Sequence, residues 1–100
     1  MFCTLTHYQA VPENLDEIAR FFKVQYIPVL LNQPGFKDVY LLTRPDGELV
    51  VMNNWETKKQ ADDWFQNPEH QNIIFQLRPM LKGAVAPENY KVAAHSVSGT

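Results

Sequence analysis

Cysteine is almost missing from this chain. Cys3 is the sole one, so no disulfide can form within the molecule, and a reducing, cytoplasmic setting is the simplest expectation. Glycine is scarce as well: with four in 100 residues, no glycine-rich loop is available to cradle a phosphate. An excess of one charge is also lacking. Nine basic residues against eleven acidic ones leave a net charge of -2, which offers no electrostatic reason to expect nucleic acid or an anionic membrane as partner. No apolar run approaches the length of a membrane span, and Met1-Phe2-Cys3-Thr4-Leu5-Thr6 lacks the basic start and apolar core of a signal peptide. Cys3, His7, His70 and His95 are scattered without the close spacing of a zinc site. These gaps predict a single domain over residues 1–100, with a core at about 4–95 and a loose tail at 96–100, and with no resident metal or organic cofactor.

Apolar residues, by contrast, are plentiful: 45% of the chain is hydrophobic and 12% aromatic. Phe2 to Gln9 alternates in the manner of a strand. Pro12 and the acidic run Glu13, Asp16, Glu17 open a helix whose stripe is Leu15, Ile18, Phe22, Tyr26 and Leu30. Pro28 should kink that helix near Tyr26, and Pro34-Gly35 should stop it. Phe36 to Arg44 and Glu48 to Trp55 read as a hairpin across the Pro45-Asp46-Gly47 turn. Thr57 and Gln60 form a capping-box pair ahead of Ala61, Trp64 and Phe65. Asn67-Pro68 starts a further helix carrying Ile73, Ile74, Leu77 and Leu81, with Gly83 at its end. Tyr90 to His95 reads as a last short strand. The order β-α-β-β-α(α)-β predicts an α+β, ferredoxin-like fold with one antiparallel sheet.

Both faces of that sheet read as apolar. On the first hairpin strand Phe36, Asp38, Tyr40 and Leu42 form one set, and Val39 and Leu41 with Lys37 and Thr43 the other. The return strand splits into Leu49, Val51, Asn53, Trp55 and Val50, Met52, Asn54. The chain's helices can shelter one face only. Leaving the large side chains of the other wet costs about 1.5–3 kcal/mol each, on the order of 10 kcal/mol together. A second copy packed sheet to sheet removes that cost, so a homodimer is expected, the pair forming a dimeric α+β barrel. The alternative is a monomer with an apolar surface.

With the elements placed, the sequence resembles the antibiotic biosynthesis monooxygenase domain family over about Thr4 to His95. The likeness rests on Pro34-Gly35-Phe36, the aliphatic strand, Asp46-Gly47, and Val50-Val51 leading to Trp55-Glu56-Thr57 and Trp64. It implies a dimeric ferredoxin-like barrel and, for oxygenase members, a cavity between sheet and helices. Quinone-forming members place a Trp at the strand end and an Asn before it. Trp55 matches the Trp, while the commoner Asn position falls on Val51 and Asn53 lies nearer on the same face. Heme-degrading members use a first-strand Asn, a Trp and a later His. Trp64 matches the Trp, but the first strand offers Thr4, Leu5 and Thr6, and the His position falls near Ile74, with His70 beyond the Asn67-Pro68 break.

The resemblance therefore implies a small aromatic substrate of quinol or anthrone type, oxygenated without metal or flavin. A base removes an acidic proton and a dry pocket protects the anion while it reacts with O₂. His7 and His70 are the candidate bases, and the helix terminus beside His70 disfavours its cation. Asn53, in a strand where asparagine is uncommon, is the candidate orienting amide. Trp55, Trp64, Tyr40 and Phe22 are candidate aromatic walls of the pocket. The competing readings are ordinary ones: a surface His beside a cap, a strand His bonded to backbone, a partnered core Asn, and core aromatics. A non-catalytic dimeric ligand-binding or scaffold protein of the same fold is the alternative function.

Overall fold

The computed structural model describes residues 1–84 and 86–98. Its elements are β1 (Phe2–Ala10), α1 (Leu15–Phe21), α2 (Ile27–Leu30), β2 (Phe36–Thr43), β3 (Glu48–Trp55), α3 (Lys58–Gln66), α4 (Pro68–Leu77), β4 (Leu81–Ala84) and β5 (Glu88–Lys91). The sheet runs β2-β3-β1-β4, with β5 also pairing β1, and all its pairings are antiparallel. Helices pack on one face of it, which is the α+β, ferredoxin-like arrangement expected.

The first helical arm shows what Pro28 does. Proline has no N–H to give to the carbonyl four residues back. The turn before it widens into a π-helical stretch, Phe22–Tyr26, closed by the Ile27 N–H on the Phe22 carbonyl. In a regular α-helix, steps of four residues drift about 40° around the axis. The wider turn offsets that drift, so Ile18, Phe22, Tyr26 and Leu30 all stay buried in line. Phe22 and Tyr26 stack with ring centroids 4.3 Å apart.

The hairpin closes as the sequence predicts. Gly47 sits at φ 96°, the Gly47 N–H donates to the Arg44 carbonyl at 3.0 Å, and the Glu48 N–H donates to Asp46 Oδ1 at 3.0 Å. Its facing differs in one place from strict alternation. The register shifts between Phe36 and Asp38, so Lys37 is an extra residue and Phe36 turns to the helix side. Phe36 therefore packs with Val39 and Leu41 against the core, while Asp38, Tyr40 and Leu42 stay on the open face.

The C-terminal part needs a larger correction. The helix expected to run through Leu81 to Gly83 stops at Leu77, because Pro79 cannot donate its missing N–H and crowds the preceding turn. Arg78–Met80 tightens into a 3-10 turn, and Leu81 is already extended at φ -110°, ψ 149°. Gly83 lies within β4, opposite Gln9. The last strand is Glu88–Lys91, earlier and shorter than the segment reaching His95. Of the expected tail, Gly99 and Thr100 lie outside the described residues.

Two clusters fill the space between layers. Trp55, Trp64, Tyr26, Phe22 and Val51 anchor the larger, and Ile18, Leu49, Leu77 and Ala10 the smaller. The capping box of α3 is formed reciprocally by Thr57 and Gln60, and Asn67 caps α4 through the Glu69 N–H at 2.8 Å. Those two caps fix where α3 and α4 begin, and α4 carries His70 in its first turn.

Candidate functional site

Strand parity decides what faces the helices. Thr4 is opposite Asn53 and Thr6 opposite Val51, so Thr4, Thr6 and Tyr8 share the helix-side face with Asn53 and Trp55. His7, between Thr6 and Tyr8, must point the other way. It lies on the open face, its Nε2 2.9 Å from Glu88 and its Nδ1 3.8 Å from Glu48. Tyr40 is on that open face too, half-exposed. The two histidines proposed as bases are thus separated by the sheet, and the structure does not gather His7 with Asn53 and Trp55.

His70 sits in the first turn of α4 and is only 7% exposed. Its ring meets Phe65, Trp64 and Tyr26 edge-on, with centroids at 5.0, 5.2 and 6.4 Å. Burial among these rings pushes the imidazole pKa below its ordinary value, against a smaller opposing pull from the Phe65 carbonyl. The neutral form therefore prevails at neutral pH. Its buried Nδ1 has no hydrogen-bond partner among the described residues.

His70 lines a cavity of about 230 Å³ between β1 and the helix layer. Thr6 and Tyr8 form its floor, Phe65 and Ile74 flank His70, and Arg78, Leu81 and Pro87 make its rim. Burial, with Tyr26 nearby adding to it, pushes the Tyr8 hydroxyl up to about 12, so it stays an O–H donor across the physiological range. The cavity thus holds a neutral imidazole able to take a proton and a phenol able to donate to an oxygen.

Behind the cavity lies a buried polar group. The Trp64 indole N–H donates to the Tyr26 hydroxyl at 3.4 Å, and burial pushes the Tyr26 pKa up against smaller opposing pulls from Trp64 and the nearby Asn53 amide. Asn53 Oδ1, Thr4 Oγ1 and Trp55 Nε1 are buried and unpartnered among the described residues. Buried polar atoms normally find partners, so this concentration on one face marks the region as unlike an ordinary core. Trp55 and Trp64, with centroids 6.5 Å apart, also border a second cavity of about 240 Å³ rimmed by Gln33, Gln60, Asp63 and Asn67. Phe22 lies beneath, stacked on Tyr26. Sequence reasoning passed over Thr6, Tyr8 and Arg78. The first two could have been found by noting that Thr4, Thr6 and Tyr8 must share a face. Among the described residues, no group of three His, Cys, Asp or Glu side chains gathers to hold a metal ion. Nor is any helix among them long and apolar enough to cross a membrane.

Comparison with known proteins bears on this arrangement. The family model for antibiotic biosynthesis monooxygenase matches residues 1–74. No curated protein matches the chain. Among solved structures, a candidate antibiotic biosynthesis monooxygenase of Deinococcus radiodurans is similar at 13% identity, covering 99% of this chain and 100% of its own, with a TM-score of 0.79. A Nitrosomonas europaea protein of unknown function is similar at 11% identity over 99% of this chain and 95% of its own, TM-score 0.80. A conserved protein of Methanosarcina mazei is similar at 17% identity over 90% of each chain, TM-score 0.77.

Proposed function

Because the chain belongs to the antibiotic biosynthesis monooxygenase family, we propose that its sheet–helix cavity binds a small hydroxylated aromatic and oxygenates it with O₂, using no bound metal or flavin. The observation that carries this reading is His70, buried among aromatic rings and neutral, on the lining of a cavity that Tyr8 also lines. Size narrows the substrate. A dry cavity of about 150 Å³ accommodates benzene, so about 230 Å³ suits one ring with substituents or a compact bicycle better than a three-ring anthrone.

The chemistry follows from the two groups. His70 accepts the phenolic proton, and Tyr8 donates a hydrogen bond to the phenolate as charge develops. The electron-rich ring passes an electron to O₂, and the radical pair closes a C–O bond at the ring carbon para to the oxygen. The protonated imidazole returns its proton to the peroxide, which loses water and leaves the quinone. A phenol and O₂ become a quinone and water: the ring supplies four electrons, and one oxygen atom goes to each product. The Asn53, Tyr26 and Trp64 group supports the wall behind His70. The test is O₂ uptake with phenols, naphthols and hydroquinones. Turnover by the wild type and loss of at least about 100-fold in His70→Ala, the usual scale for a general base, support the assignment. No uptake with any of these compounds removes the enzymatic reading and leaves a ligand-binding protein of the same fold.

The open face supports a second part of the reading, pairing with another copy. Leu42, Tyr40 and Tyr90 stand 51%, 49% and 48% exposed on it, beside the half-buried Leu5, Val50 and Met52. Association of two such faces would bury this surface and the His7–Glu88 pair with it, in a cytoplasmic homodimer.

A further inference from the structure

We propose that the substrate is an aromatic hydroxy acid, with Arg78 at the cavity rim binding its carboxylate and the Tyr8–His70 pair engaging its hydroxyl group. The inference rests on the proposed function, since it assigns the substrate class of that same cavity.

The argument starts from charge. Three other cavities in the molecule each include a carboxylate: Asp63 in one, Glu17 in another, Glu48 in a third. Among the described residues, the cavity of His70 has none on its lining, and its only charged side chain there is the Arg78 guanidinium. Arg78 makes no ion pair among the described residues, as is also true of Arg20, Lys23, Lys82 and Lys91; of these five, Arg78 alone is on the lining of this cavity among the described residues. A guanidinium stays charged at any working pH and presents a planar fork that matches a carboxylate through two parallel hydrogen bonds.

Position adds to charge. Arg78 opens the short 3-10 turn before Leu81, and Pro79 stiffens the backbone that carries it. Thr6, Tyr8 and His70 are neutral, and Phe65, Ile74 and Leu81 complete a largely apolar wall. One ring lying among those apolar groups would place its hydroxyl at the neutral donor–acceptor pair and an acid group at the rim. The cation there also attracts an anionic ligand from solution, an effect that salt weakens. An aromatic without an acid would leave Arg78 merely solvated and gain nothing from it.

The experiment is binding by calorimetry of two matched probes, 3-hydroxybenzoate and 3-hydroxybenzamide, to the full chain at pH 7.5 in low salt. The acid should bind about tenfold more tightly than the neutral amide, on the scale of one charge-assisted contact. Arg78→Met, which keeps the aliphatic stem, should abolish that preference by weakening the acid far more than the amide; Arg78→Lys should keep part of it. Added salt should weaken the acid alone. Equal binding of both probes to the wild type, or a preference that survives Arg78→Met, overturns the substrate class while the cavity assignment stands. If neither probe binds, the cavity assignment itself falls and this inference with it.

Discussion

Removing the imidazole of His70 should flatten the acid side of the stability curve. In the unfolded chain His70 takes up a proton near its ordinary value of about 6.5; in the fold, burial holds the pKa lower. Between those two values the unfolded chain binds more protons, so stability falls as pH falls. The contribution of His70 is fully present above pH about 6.5 and drains away toward the lower, folded value. A single group changes stability by at most about 1.4 kcal/mol for each pH unit in that window. With a urea dependence of about 1–3 kcal/mol per molar for a small protein, that loss moves the unfolding midpoint by roughly 0.5–1.4 M. Urea titrations of the wild type and His70→Gln at half-unit intervals from pH 7.5 to 5.0 measure it. Groups common to both proteins cancel in the difference. The wild type should lose stability faster than the variant below pH 6.5, while the activity of the wild type should persist past that point and fall only near the lower, folded value. Parallel curves for the two proteins would refute the buried neutral imidazole, and with it the base assigned to the reaction.

Three further outcomes test separate parts of the molecule. Asn53→Leu should fold with stability within about 1 kcal/mol of the wild type, since it removes a buried oxygen that lacks a partner, yet it should lose quinone formation; full activity in that variant takes Asn53 out of the site. Gly47→Ala should cost about 1–3 kcal/mol in urea unfolding, because φ is 96° there and a Cβ would run into the Ala10 carbonyl; an unchanged midpoint would show that the turn can rearrange. Leu42→Asp should sediment as a single protomer in dilute neutral buffer while the wild type sediments as a pair; a wild type that also runs as a protomer removes the proposed barrel.

Much of this fold is legible in the amino-acid sequence. The hairpin, both caps and the first strand came from short-range chemistry: Asp46-Gly47 permits the turn, Thr57 and Asn67 satisfy orphan helix N–H groups, and alternation needs only the pleat. Local rules were weakest where elements are held by their neighbours. β4 and β5 are each four residues long and exist as strands because β1 offers them a free edge, so the segment around Tyr90 announces a strand but not its bounds. Pro79 ended α4 early, yet the apolar spacing from Leu77 to Leu81 still reads as helical.

The sequence alone determined the class of fold, the pattern of two apolar sheet faces and the residue types available for chemistry, because propensity, capping and period are properties of neighbouring residues. Tertiary structure decided which of those residues meet. One register shift at Lys37 moved Phe36 across the sheet, and strand parity put His7 behind it while giving Tyr8 to the cavity. Burial among three aromatic rings, a property of where α4 lands, then left His70 a neutral imidazole on the cavity lining.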